Sequence, residues 1–107
     1  MGRIEQLMQF VAQNPRDPFP RYGLAMELKN AARLDDAERA FAELLGAFPD
    51  YTPAYLHAGN VLLALGKREQ AAEMYRTGIA ACGKKRDAHA QGELEAALTA
   101  LETAEAP

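Results

Sequence analysis

The sequence has no tryptophan, a single cysteine and two histidines among 107 residues. Cys82 has no second thiol to pair with. That rules out an internal disulfide and any zinc knuckle built on paired cysteines, and it leaves Cys82 as a small core residue. No cysteine, aspartate or glutamate spacing completes a metal site around His57 and His89, so both are expected on the surface or in a groove. The chain also lacks a glycine-rich phosphate loop, a nucleophile elbow and a His-Glu-x-x-His pattern. Scattered glutamates such as Glu5, Glu43 and Glu95 read as helix-surface charges. Neither catalysis, nor a cofactor, nor a metal is expected.

Charge of one sign is missing too. Twelve Lys and Arg against fifteen Asp and Glu, net -3 and interspersed, provide no basic stripe to neutralise phosphates, so nucleic-acid binding is disfavoured. Long apolar runs are absent as well, and the chain does not open on a charged segment followed by an apolar core and a cleavage site. No membrane partner is expected, and a cytoplasmic location is the default.

What is present is a composition of 49% hydrophobic and 25% charged residues, suited to one soluble domain spanning 1–107. A size pattern recurs within it. Pro18–Tyr51 and Thr52–Lys85 superimpose at a spacing of 34 residues. Small residues align at Ala25 and Gly59 and at Ala37 and Ala71; larger ones align at Leu28 and Leu62 and at Phe41 and Tyr75. A period of that length is the mark of stacked helical hairpins.

The second copy, with Tyr55, Leu56, Ala58, Gly59, Leu62, Gly66, Ala71, Tyr75 and Ile79, resembles the tetratricopeptide repeat (TPR) signature of aromatic, small, large and small residues. The first is looser, with Arg21 in place of the opening aromatic and Ala32 in place of the turn glycine. Leu24, Ala25, Leu28, Leu34, Ala37, Phe41 and Pro49 keep the pattern. The resemblance implies an all-α, right-handed solenoid of helical hairpins. Its role would be that of a non-catalytic adaptor.

Six helices are expected, in the order B, A-B, A-B and a capping A. Ile4, Leu7, Met8 and Val11 share one face of a helix over Arg3–Gln13, within a half-repeat at 3–15 closed by Asn14-Pro15. Helix A of the first repeat (18–51) is expected from Pro18 to about Ala31, since proline suits a first turn. Asp35-Asp36 should cap the following helix B, which runs to about Phe48. In the second repeat (52–85), Pro53 opens a helix through Leu65, and Glu69–Cys82 forms its partner with Gly83 as C-cap. Leu94, Leu98 and Leu101 mark a capping helix within 87–104, in the register of a third helix A, with Glu93 at the place of Gly59. The Ala106-Pro107 tail is expected to fray. Lys84, Lys85 and Arg86 form a cluster that either faces the helix dipole in solvent or meets an acidic partner.

Close crossings are expected where Ala25 faces Ala37 and Gly59 faces Ala71, with Phe41, Tyr55 and Tyr75 filling the core rather than a stacking surface. In TPR proteins the A helices line a concave groove. By position the groove residues here would be Phe19, Tyr22, Met26, Lys29 and Asn30, then Leu56, Asn60, Leu63 and Ala64, then Ala90, Leu94 and Leu98. The resemblance places Asn60 where an asparagine holds a bound peptide backbone; a solvated polar residue is the plainer alternative. The family's clamp for chaperone C-termini is missing, because Tyr22, Met26, His57, Asp87 and Gln91 occupy its places. The expected partner is another protein or peptide. The alternative is a self-assembling subunit that buries the groove or the edge at Ile4–Val11.

Overall fold

Six α-helices make up the structure, a computed structural model that describes residues 2–105, the side chain of Glu105 excepted. They are α1 (Arg3–Gln13), α2 (Pro18–Asn30), α3 (Leu34–Ala47), α4 (Pro53–Ala64), α5 (Arg68–Lys85) and α6 (Ala88–Glu105). The Ala106-Pro107 tail lies outside the described residues. Each helix packs on its neighbour in sequence, and α4 also touches α2 and α6, so the hairpins stack along one direction. No strand occurs among the described residues.

Local chemistry explains most helix boundaries. The Asp17 carboxylate accepts a hydrogen bond from Phe19 N at 3.0 Å, and Pro18 fills the first helical position, where no amide donor is needed. Pro53 does the same for α4. Asp35 and Asp36 sit inside the first turn of α3 and do not cap it: the N-cap is Arg33, whose guanidinium pairs with Asp36 at 2.8 Å. The acids still oppose the helix dipole from there.

Between helices A and B the chain reverses through one left-handed residue, Ala32 (φ 60°) in the first repeat and Gly66 (φ 78°) in the second. Matching bonds close both turns, Arg33 N to Leu28 O at 3.0 Å and Lys67 N to Leu62 O at 2.9 Å. Alanine adopts the glycine geometry there, at a cost of about 1–2 kcal/mol.

Gly83 is no C-cap. Helix α5 continues through it to Lys85, and Arg86 (φ 56°) takes the left-handed position. The connection to α6 is therefore short, whereas residues 48–52 join α3 to α4. This turns α6 out of the 34-residue register: Glu93 and Ala96, which follow Gly59 and Leu62 at that spacing, are exposed, and Leu94 is buried.

One core runs through the stack. Ala25, Ala37, Phe41, Leu44, Val61, Ala71, Tyr75, Cys82 and Leu94 are all buried within it. Gly59 is needed for packing, because a Cβ there would lie within 2.6 Å of Tyr75 Cδ1. Gly78 is needed between repeats, where a Cβ would meet Tyr55 Cβ at 2.5 Å and Leu94 Cδ1 at 2.8 Å. Large rings thus lie against bare backbone.

Candidate partner-binding face

Helices α2 and α4 carry the stripes expected to line the groove, and polar and aromatic contacts tie them together. Tyr22 on α2 meets the Tyr51 ring at 5.3 Å and the His57 ring of α4 at 6.2 Å between centroids. Lys29 Nζ lies 3.1 Å from His57 Nδ1. An ammonium only donates, so Nδ1 accepts and the ring proton of neutral His57 sits on Nε2. Burial holds His57 below its ordinary pKa, and the Lys29 charge adds to this while Glu93 opposes it. Burial raises the Tyr22 hydroxyl, assisted by Tyr51 and the negative charge of Glu93. The centre of the face is a neutral imidazole between a cation and an acid.

Around it, Phe19 is 68% exposed. Met26, Lys29, Leu56 and Leu63 are half-buried, while Asn30 and Ala64 are exposed. Asn60 is half-buried and already engaged, its Oδ1 accepting the Tyr75 hydroxyl at 2.5 Å. Met26 and Phe41 occupy the same two places in the first repeat, so the hydroxyl and its acceptor occur together. That leaves the Asn60 amide nitrogen and one lone pair of Oδ1 for a partner.

Leu94 does not belong to this face. It is 1% exposed and packs over Gly78, because the rotation of α6 turns it inward. Ala90 and Leu98 are half-buried against the core. The same rotation brings out Glu93, whose charge acts on Tyr22 and His57 and which lies 3.5 Å from His89. Sequence reasoning read Glu93, at the place of Gly59, only as the mark of a polar capping helix and gave it no part in this face. It missed Tyr51 because a residue between helices has no face in a periodicity argument. Cys82 is fully buried, and burial raises its thiol pKa. Among the described residues no cluster of three or more His, Cys, Asp or Glu could hold a metal ion. No described helix is long and apolar enough to cross a membrane.

Antiparallel hairpins stacked with large side chains against glycine backbone, and a semi-exposed apolar stripe across successive first helices, define a helical-repeat protein. The tetratricopeptide repeat family model matches residues 28–81, and the chain belongs to that family. Repeats of this family generally form interaction modules and not catalytic centres. The solution structure of a tetratricopeptide repeat domain protein from Salinibacter ruber is 31% identical and superimposes with a TM-score of 0.81, over 87% of this chain and 94% of that one. A protein from Bordetella parapertussis, BPP2914, shares the fold at 24% identity and TM-score 0.84, over 98% and 91% of the two chains. PcrH, crystallised with the chaperone-binding region of PopD, shares it at 13% identity and TM-score 0.87, over 96% and 78%. No curated protein matches the sequence.

Proposed function

We propose that this chain is a non-catalytic adaptor that holds a helix or peptide of another protein along the face of α2 and α4. The observation that carries this reading is the row of partly exposed Tyr22, Met26, Leu56 and Leu63 beside fully presented Phe19. Side chains of this type, half-desolvated before binding, are what a partner helix or extended segment covers. The PcrH complex supports the reading at the level of fold, since a similar shape there holds a region of PopD. Lys29, Asn30 and the Asn60 amide would supply polar contacts at the rim.

The test compares proteins that co-purify with wild type and with a folded Tyr22→Glu, Leu56→Glu variant. Loss of specific partners is expected. Identical partner sets would refute the assignment.

Self-assembly is the second reading, favoured by Met8 (56% exposed) and Phe10 (50% exposed) on α1, a helix that among the described helices packs on α2 alone. Light scattering over a concentration series decides it: mass should rise with concentration and return to that of the monomer in Met8→Lys, Phe10→Lys. A monomer at every concentration leaves the adaptor alone.

A further inference from the structure

A cleft of about 510 Å³ opens on another side of α4, between α3 and α5. Phe41, Leu45, Tyr55, Ala58, Leu62 and Met74 form much of its wall. It continues past Pro49, Tyr55 and Thr77 into a second hollow of about 290 Å³ that ends at Lys84 and Lys85. Two hydroxyls along this path are already engaged within the protein. The Tyr55 hydroxyl donates to Pro49 O at 2.5 Å and the Thr77 hydroxyl to Glu73 O at 2.9 Å. The walls therefore present apolar surface.

The same cleft occurs one repeat earlier, between α1 and α3, with a volume of only about 220 Å³. The sequence explains the difference. Met8 and Leu24 occupy the earlier cleft, and the residues 34 positions later are Ala42 and Ala58. Ile4 of the first trench likewise gives way to Glu38, while Met74 stands where the first has Ala40, so the second wall loses three aliphatic side chains and gains one.

Charge differs between its ends. At the end nearer the start of α5, Glu38 is held by Lys67 at 2.9 Å and Glu73 by Arg76 at 3.4 Å. At the other end Lys85 is 3.6 Å from Asp50, while exposed Lys84 makes no ion pair among the described residues, and exposed Arg86 follows. The trench runs from neutralised acids to a net positive mouth. An occupant of matching chemistry carries aliphatic side chains to replace the missing Met and Leu, and acidic groups beyond them.

We propose that the α3–α5 trench is a second binding site, separate from the α2–α4 face, for an aliphatic peptide segment that ends in acidic residues. The probe is a synthetic peptide of about 15 residues with Leu and Met at i, i+3, i+4 spacing and an acidic run at one end, titrated into the isotopically labelled full chain. Amide shifts are expected at Ala42, Ala58, Met74 and Lys84. Ala42→Met, which restores at an exposed helical site the side chain of the first trench, should weaken binding at least about tenfold. Lys84→Glu should weaken it as well, as should replacing the acidic run by lysines. Tyr22→Glu, Leu56→Glu should leave it unchanged. No shifts, shifts confined to the Tyr22 and Leu56 face, or equal binding of the lysine peptide would each overturn the proposal. So would a dimer of the free chain that Ala42→Met disperses, which would give the trench to a second copy.

Discussion

The ring of Tyr75 fills the space beside Gly59 that any side chain at that position would need, and its hydroxyl then reaches the neighbouring Asn60. The contact joins a helix A to its helix B through a bare backbone. Ala25 and Phe41 hold the corresponding places in the first repeat, both buried in the same core, with one methyl group more on helix A and one hydroxyl less on helix B. Packing of this kind explains why the repeat conserves total size at a crossing and lets individual residues change.

Gly59→Ala should destabilise the fold by about 1–3 kcal/mol, because Tyr75 is fully buried and cannot swing away. In a domain of this size that lowers the thermal midpoint by about 5 °C or more. Tyr75→Phe should cost about 1 kcal/mol through the lost bond to Asn60. Circular dichroism melts measure both, and an unchanged midpoint for Gly59→Ala would show that the crossing tolerates a side chain.

The three turn and helix-end positions should respond with different signs. Gly83 is helical with open space around it, so Gly83→Ala should stabilise by about 0.5–1 kcal/mol. Gly66→Ala should destabilise, and Ala32→Gly should stabilise by up to about 1 kcal/mol, because both sites are left-handed. Chemical denaturation midpoints report the order. A loss of stability in Gly83→Ala would mean that α5 stops at Cys82.

The helix starts at Pro18 and Pro53 and the full extent of α1 were legible in the sequence, because proline geometry and 3.6-residue periodicity act within a few residues. The end of α5 was not. Gly83 is a local stop signal, yet the chain stays helical because Cys82 is buried beside it and Asp87 is tied to Thr52 of the previous repeat, 35 residues away. The positions of Leu94 and Glu93 follow from that distant bond. No local pattern carries it.

That bond predicts behaviour in acid. Asp87 is held below the usual carboxylate range first by the Thr52 hydroxyl at 2.6 Å and then by the Ala90 amide at 3.1 Å. Its folded pKa is depressed, so its contribution to stability is present above the unfolded value of 3.8 and is lost as pH falls through the lower folded value. Thr52→Val should raise the Asp87 pKa and reduce the acid limb of a stability-versus-pH curve. An Asp87 titration unchanged in that variant would remove Thr52 as the main cause.

His57 sets a second pH window. Its folded pKa lies below the ordinary 6.5, so its contribution to stability is complete above that value and declines as pH falls toward the folded pKa. Lys29→Met removes a cause of the depression and should shift the imidazole titration upward in proton NMR. Stability should then depend less on pH between about 7 and 5. A His57 pKa that does not move would show that burial alone sets it.

Cys82 should be inert in the native chain, since it is fully buried and its thiol pKa is raised. A thiol reagent should label it only on unfolding, at a rate that follows global opening. Rapid labelling under native conditions would contradict the packing of α5 against its neighbours.

The sequence alone determined the helix class and the stacking period, because size and periodicity are properties of neighbouring residues, whereas the side chain that meets Gly59 is Tyr75 and not the expected Ala71. Only the tertiary structure decided which side of α6 faces the core, which acid reaches His57 and where a trench remains open. Those depend on how far one helix extends before it turns, and that extent is settled by contacts between residues far apart in the chain.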